Sequence, residues 1–508
     1  MINQRKAGAV LTYVSMGLGY LVSIVYTPLM IRLLGKSEYG LYNLVASIVA
    51  YLGILNFGFG SAYMRYYSRY KTRDERSKIA TLNGMFIIIF SGLGLLAVIA
   101  GTILAIRSDF VFGSKLTADE LAKAKILMFI LVVNLGISFP SIVFTSHITA
   151  NEKFVFQKIV QMLRIVINPF VVLPVLIMGY GSVGMVLITT ALNVIIEIIN
   201  VIFCLKQLKM TFYFKRFDRV LLREMSIFSS FIFLNMIIDQ INWNVDKYVL
   251  GRFYGTETVA VYGVAAQLNS YYLSISTAIS SVFIPQVHRM VTDRNDNTEL
   301  TNLFTRIGRI QFIVLSMILG FLIFFGRPFI FMWAGEDYVG AYPVVLLLII
   351  PVTIPLIQNI GIEIQRAKNM HQFRSWTYLI IALGNLAMTI PLAKVYGVVG
   401  AAIGTAISMT IGNGILMNWY NHSRVGLNMK FFWIRILRFA PALVIPVGIG
   451  LASTFFDLYR LKYLVLFGSL YLLIFAGSMW LFGLNRYEKD LVSKPIVALI
   501  QKRRRKHE

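Results

Sequence analysis

Long apolar runs separated by short basic segments dominate the chain. Residues 7–31, 39–64, 79–106, 126–151, 165–196, 258–288, 338–362, 395–423 and 463–485 contain no Asp, Glu, Lys or Arg. A helix needs about 20 apolar residues to cross roughly 30 Å of hydrocarbon, so each run is long enough to span a bilayer. The run 165–196 is interrupted by Gly179-Tyr180-Gly181-Ser182, which reads as a turn between two helices. Stretches that are shorter or carry an internal charge, at 225–251, 307–333, 376–396 and 439–456, complete the set. The pattern predicts an all-α polytopic membrane protein with about fourteen transmembrane helices. The first run is longer than the apolar core of a signal peptide and no clear small-x-small cleavage site follows it, so it is expected to remain as a span.

Composition points the same way. Hydrophobic residues make up 57% of the 508 and charged residues only 14%, where a soluble domain carries about a quarter charged. A water-soluble core cannot absorb that excess, and the mean hydropathy of +0.71 agrees. The one cysteine, Cys204, excludes a disulfide scaffold and a Cys-based zinc site. The net charge of +25 suggests nucleic acid in a soluble protein, so the placement of the charges decides. With a cytoplasmic N-terminus, basic residues in the segments assigned inside outnumber those outside by about three to one. This bias predicts N- and C-termini in the cytoplasm, and the basic tail 502–506 reads as an anchor near anionic membrane lipids rather than a nucleic-acid site.

The chain also repeats itself weakly but in order. Tyr180-Gly181-Ser182-Val183-Gly184 matches Tyr396-Gly397-Val398-Val399-Gly400 at an offset of 216. Asn168 and Pro174 match Asn385 and Pro391, and Ala150 and Phe156 match Ala367 and Phe373, all at 217. Gly35 and Tyr42 match Gly255 and Tyr262 at 220. Because six crossings return the chain to the same side, the halves form two parallel six-helix bundles with a substrate site expected between them. The predicted divisions are an N-terminal bundle at 1–206, a cytoplasmic amphipathic connection at 207–225 and a C-terminal bundle at 226–424. Two further helices follow at 425–485, then a basic tail at 486–508.

Two such bundles plus two extra helices resemble the MOP transporter superfamily. The residues that suggest its polysaccharide (Wzx-type) flippase branch are Tyr26-Thr27-Pro28, the block from Ile31 through Gly35-Lys36-Ser37-Glu38-Tyr39-Gly40 to Tyr42, then Asn56-Phe57-Gly58-Phe59-Gly60 and Met64-Arg65-Tyr66. The match is densest over 20–70 and returns at 246–262 and 396–408. The resemblance implies a flippase that moves an undecaprenyl-diphosphate-linked oligosaccharide across the plasma membrane for cell-surface polysaccharide synthesis. Its implied partners are the lipid-linked oligosaccharide, membrane lipids, and a polysaccharide polymerase with assembly proteins.

A charge inside the membrane costs about 2.5 to 3.5 kcal/mol on insertion scales, so it should face a lumen or a partner. Asn235, Asp239, Asn242 and Asp246 recur at helical spacing as one polar stripe. Asp239 and Asp246 are the candidates for coupling to H⁺ or Na⁺, with Asp246 beside Lys247 as a local pair near the outer end. Arg164 and Glu197 each fall near the middle of a predicted span. Mutual neutralisation is the plain reading of the two. Placed in a lumen, Arg164 has a guanidinium that forks onto a phosphate. Arg32 and Arg65, whose plain reading is snorkelling to the interface, and Arg366 join it as candidates for the substrate diphosphate. Glu197 and Glu363 join the lumen stripe. Stripes of Ser, Thr and Gly elsewhere are equally well read as helix packing.

Enzymatic motifs are absent from the sequence. Gly35-Lys36-Ser37 resembles a P-loop ending, but the earlier glycine that motif requires is Met30. No His-Glu-x-x-His spacing occurs and no metal site is expected. Without an ATPase domain, transport must draw on an ion gradient, the membrane potential or substrate supply. The alternatives are a cation-coupled multidrug or metabolite exporter, a peptidoglycan lipid-precursor flippase, and a membrane scaffold for an envelope assembly complex.

Overall fold

A computed structural model of the protein describes residues 4–215, 217–293, 296–370, 372–491 and 493–494. The basic tail at 502–506 and the loop arginines Arg216 and Arg294 lie outside the described residues. Those described form helices joined by short non-helical segments, without a β-strand among them. The helices are α1 (Gln4–Leu52), α2 (Phe59–Thr72), α3 (Arg76–Ile106), α4 (Ser108–Phe112), α5 (Ala118–Ala150), α6 (Phe154–Ile177), α7 (Gly181–Lys206), α8 (Arg219–Tyr254) and α9 (Thr256–Ser281). They continue as α10 (Ile284–Asp293), α11 (Asn297–Trp333), α12 (Ala341–Ile357), α13 (Ile360–Ala367), α14 (Gln372–Met409), α15 (Met417–Tyr420), α16 (Met429–Leu437), α17 (Ala440–Ser453) and α18 (Leu461–Ser478).

Among the described residues, nine helical segments are long and apolar enough to cross a membrane, and up to eleven if each of two bent pairs is one span. Two of the nine, Val10–Thr72 and Gln372–Val425, run for 63 and 54 residues. At about 1.5 Å per residue each is far longer than one crossing. Each contains a glycine outside helical geometry, Gly35 at φ 74° and Gly397 at φ 59°. The α9 helix is more polar than these nine, its path carrying Gln267, Asn269, Ser270, Ser274, Ser276 and Thr277. These elements are consistent with the fourteen spans the apolar runs predict.

The helix junctions follow local chemistry. Thr117 and Glu120 form a reciprocal capping box at the start of α5, with Thr117 Oγ1 accepting from Glu120 N at 3.2 Å and Glu120 Oε2 accepting from Thr117 N at 2.9 Å. Asp218 caps α8, Asp296 caps α11 and Asn428 caps α16 through their side-chain oxygens. The glycines paired by the repeat share a backbone state. Gly35 and Gly255 have φ of 74° and 88°, and Gly181 and Gly397 have φ of 58° and 59°. A side chain is strained at such angles, so these four positions are where one helix stops and the chain reverses into the next.

The chain forms two compact units, residues 1–263 with 378–405, and residues 264–377 with 406–508. The first has an aromatic core in which Tyr63, Phe86, Phe90 and Phe139 are fully buried. Within it Tyr63 Oη donates to Asn83 Oδ1 at 2.6 Å and lies 2.8 Å from His147 Nδ1, so the polar ends of the buried rings are matched. The second has a core of Phe325, Phe439, Tyr471 and Phe475. Outer faces carry Leu21, Leu95, Phe170, Ile177 and Leu473 exposed, as lipid contact requires and water would not allow. The chain is a multi-pass membrane protein.

Before α8 begins at Arg219, the described residues of the connection expected as an amphipathic segment form no helix and are strapped to α3. Tyr213 N donates to Ala80 O at 2.9 Å, and Asn83 Nδ2 donates to Thr211 O at 2.8 Å. Gly84 leaves room for the Tyr213 backbone against α3. Phe212 packs into the aromatic core, while Tyr213, Phe214 and Phe217 stay exposed.

Candidate functional site

Asp246 is the most deeply placed acid of the polar stripe on α8, at 1% exposure. Its Oδ2 accepts hydrogen bonds from the Tyr262 hydroxyl and, at 3.0 Å, from Thr405 Oγ1. Its Oδ1 is buried and has no hydrogen-bond partner. Around it, Asn385 Oδ1 accepts from Thr389 Oγ1 at 3.0 Å and lies 3.3 Å from Thr405 Oγ1. All four surrounding side chains are buried.

The backbone explains how they meet. Asn385 and Thr389 sit one turn apart on α14 and share a face. In a straight helix Thr405 would stand about 30 Å beyond Asn385. The reversal at Gly397 folds the helix back, so Thr405 returns beside it. Tyr262 arrives through the matching reversal at Gly255, between α8 and α9.

The expected local pair of Asp246 with Lys247 does not form as an ion pair. Adjacent helical residues point about 100° apart, and the Asp246 carboxylate turns to Tyr262 and Thr405 instead. An anionic oxygen without a donor, beside side-chain oxygens of Asn385, Thr389 and Thr405, is a donor set for a small hard cation. No group of three His, Cys, Asp or Glu suited to a transition metal occurs among the described residues.

The other stripe positions differ from Asp246. Asn235 and Asp239 are exposed on α8 and Asn242 is half-buried. Arg164 is exposed near the centre of α6, with no hydrogen bond or ion pair to another described residue. Glu197, half-buried on α7, lies within electrostatic reach of Arg164 without an ion pair, and accepts a long bond of 3.5 Å from Asn200 Nδ2. Arg32 is exposed on α1. Arg65 is exposed on α2 with its guanidinium 4.6 Å from the Phe228 ring centroid. Arg366 forms an ion pair at 2.7 Å with Glu363, one turn earlier on α13, so these two candidates neutralise each other. The structure thus joins Glu363 with Arg366, and joins Asp246 with residues outside the predicted stripe.

Within the first unit a polar latch ties α1, α5 and α9 together, and it has no counterpart among the predicted site residues. Ser37 Oγ and Thr256 Oγ1 both donate to Glu120 Oε1, each at 2.6 Å. Glu38 accepts from Lys123 and, at 2.7 Å, from Ser182 N. Lys36 pairs with Glu257 at 3.3 Å. Gly40 permits the close approach, since a Cβ there would collide with the Thr256 carbonyl oxygen. The signal for this latch is present in the Lys36-Ser37-Glu38 block, but its partners are 80 to 220 positions away.

Comparisons with known proteins agree with this architecture. Residues 6–291 match the family model for polysaccharide biosynthesis proteins. A curated Shigella flexneri protein named as an O-antigen transporter is 20% identical over 411 residues, covering 78% of this chain and 93% of that protein. A low-salt glycan biosynthesis flippase, Agl15, from Haloferax volcanii is 24% identical over 191 residues, 37% of this chain and 39% of its own length. Among solved structures, the lipid II flippase MurJ in an inward closed conformation superposes with a TM-score of 0.71 at 19% identity, over 93% of this chain and 98% of that one. An inward-facing multidrug MATE transporter of the MOP superfamily gives a TM-score of 0.64 at 14% identity, over 83% and 99%. The relatives are named as transporters and flippases, not as enzymes, and the folds are the helical transporter folds that the paired bundles resemble. Since the family match extends over more than half of its length, this chain belongs to the polysaccharide biosynthesis protein family.

Proposed function

We propose that the protein is a flippase for a lipid-linked oligosaccharide, carrying an undecaprenyl-diphosphate-linked sugar from the cytoplasmic to the outer leaflet of the plasma membrane. Both termini then lie in the cytoplasm, and the exported chain passes to a polymerase and its assembly proteins. Residues 1–206 and 226–424 act as the two bundles of an alternating-access carrier, with 425–485 appended. The observation that carries the reading is Arg164, an exposed guanidinium near the centre of a membrane helix that forms no ion pair among the described residues, with Glu197 only within electrostatic reach. Such a charge belongs in a water-filled cavity, and the diphosphate is the part of the substrate that hydrocarbon rejects. The family and the names of its relatives support the same substrate class.

Transport of labelled lipid-linked oligosaccharide in proteoliposomes tests this. Arg164→Ala should abolish movement, and Arg164→Lys should restore only part of it, because lysine lacks the bidentate fork. Movement no faster than in empty vesicles for the unaltered protein would overturn the assignment. Arg32, Arg65 and Arg366 are secondary contacts for the diphosphate, and Arg366 is the weakest because Glu363 already neutralises it.

Asp246 is the proposed coupling site. Asn385, Thr389 and Thr405 complete an oxygen-lined niche that suits Na⁺, and the bound cation would supply the counter-charge for Asp246. Imposing Na⁺ and H⁺ gradients separately distinguishes the two ions. The alternating cycle requires the Ser37–Glu120–Thr256 latch to open. Cysteines at Ser37 and Thr256 should therefore crosslink, block export, and release it on reduction; full export while crosslinked would exclude that motion.

A second reading, a cation-coupled exporter, is favoured by Asp239, an exposed acid on the polar stripe of α8. An exporter should fail with Asp239→Asn and tolerate Arg164→Ala, the reverse of the flippase.

A further inference from the structure

The second unit contains a cavity of about 760 Å³ remote in sequence from every residue assigned above. Arg306 and Arg309 reach it from α11, Arg435 and Arg438 from α16 and the residue after it, and Arg486 from beyond α18. Among the described residues the one carboxylate paired with a lining arginine is Glu488, beneath Arg309. Of the five arginines drawn from three separate elements into one hollow, the four that Glu488 does not neutralise repel one another unless a further anion sits among them.

One of the five is already committed. Arg309 is 6% exposed and donates to both oxygens of buried Glu488, from Nε at 2.6 Å and from Nη2 at 2.8 Å. It also donates to Arg435 O at 2.7 Å and Gly483 O at 3.1 Å. This pair closes the floor and fixes the chain after α18 against α11. The other four have no carboxylate partner among the described residues. Arg306 stacks 4.4 Å from the Tyr487 ring centroid and Arg435 lies 5.0 Å from that of Phe431. Stacking occupies the flat face of a guanidinium and leaves its N–H edge directed elsewhere. Thr305, 4% exposed and also lining the cavity, has a buried hydroxyl with no hydrogen-bond partner. A second polar group here therefore lacks its complement.

Forked donors without acids select phosphate oxygens. The rim indicates which phosphate. Phe482, 60% exposed, lines the cavity, and its sequence neighbour Leu481 and the neighbour of Arg438, Leu437, are 69% and 67% exposed. A soluble anion has no use for that apolar border, whereas acyl chains would lie along it. We propose that this cavity binds the phosphate head of an anionic membrane lipid, holding the helices after residue 425 against α11. The proposal rests on the chain being a membrane protein and not on what it transports.

Native mass spectrometry of the full-length protein in detergent, titrated with phosphatidylglycerol or phosphatidylcholine, tests it. The unaltered protein should retain phosphatidylglycerol preferentially. The variant Arg306→Gln/Arg438→Gln/Arg486→Gln removes three exposed rim charges and leaves the Arg309–Glu488 floor intact. It should bind phosphatidylglycerol roughly tenfold more weakly or worse, with phosphatidylcholine unchanged. Equal retention of the two lipids by the unaltered protein, or equal phosphatidylglycerol binding by the variant, overturns the proposal. Inorganic pyrophosphate is the soluble arm: competition with the lipid supports the shared phosphate chemistry. Pyrophosphate binding without any lipid binding makes the ligand a free phosphate and overturns the lipid assignment. If the triple variant does not fold, Arg438→Gln alone is measured, and it too must bind less phosphatidylglycerol than the unaltered protein.

Discussion

Two clusters occupy matching places in the repeat and differ by one charge. Tyr26, Tyr42, Asn168 and Thr189 stand 216 to 220 positions before Asp246, Tyr262, Asn385 and Thr405. In each, an asparagine carbonyl faces a threonine hydroxyl of the following helical segment, at 3.5 Å for Asn168 with Thr189 and 3.3 Å for Asn385 with Thr405. Tyr26 lies near Tyr42 as Asp246 lies against Tyr262. Only the second cluster has a carboxylate, and only there does the next turn add a hydroxyl, Thr389 where the first has Val172. The repeat therefore builds one scaffold twice and charges it once. A buried carboxylate with an unpartnered oxygen destabilises the fold, and a neutral version of the same cluster already exists in the first half. That contrast supports the proposal that ion coupling belongs to the second half alone.

The strongest way to break the comparison is to remove the charge. Asp246→Asn keeps an oxygen for Tyr262 and Thr405, so the fold should survive. Na⁺ at a hundredfold excess over Kd should raise the stability of the unaltered protein by about 2.7 kcal/mol. The variant should lose that gain entirely, and gradient-driven transport should fall to its gradient-free level. An unchanged Na⁺ response in melting experiments would show that Asp246 is only structural.

A smaller effect is expected one shell out. Asn385→Leu or Thr405→Val should weaken the ion response by about 10- to 100-fold in affinity. The matched changes Asn168→Leu and Thr189→Val should leave it untouched. Equal effects in the two halves would remove the asymmetry.

The scaffold itself should respond symmetrically. Gly35→Ala and Gly255→Ala each place a side chain at positive φ, at a cost of about 1–2 kcal/mol. Thermal melting should therefore fall to a similar extent for both. The smallest effect belongs to Thr189→Val, which removes a single long hydrogen bond between neutral groups. Its loss should be about 0.5 kcal/mol in the same assay.

Much of this is readable from local pattern. Apolar run lengths mark the spans, and the glycines paired at 35 with 255 and 181 with 397 mark the reversals. The repeat alone singles out Tyr262 and Asn385, yet nothing local connects them to Asp246. Thr389 and Thr405 carry no signal at all, because threonine on an apolar helix reads as packing. The Glu120 latch is hidden for the same reason: Ser37, Glu120 and Thr256 look like helix-end residues, and two of them serve at a cap or a turn as well. The five arginines of the cavity contribute only a charge bias to the sequence pattern, because they come together from segments far apart along the chain.

Asp239 and Asp246 separate what the sequence determines from what it does not. Sequence alone makes this a helical membrane protein with a repeated half and places both aspartates on one stripe of one helix. They are seven residues apart, two turns and about 10.5 Å along the axis. Helical period assigns them the same face and no more. Asp239 is exposed, while Asp246 is enclosed by Tyr262 and Thr405. Which acid is enclosed depends on the chain reversing at Gly255 and Gly397 at the right depth. That depth is fixed by packing between segments more than a hundred residues apart, which no local pattern encodes.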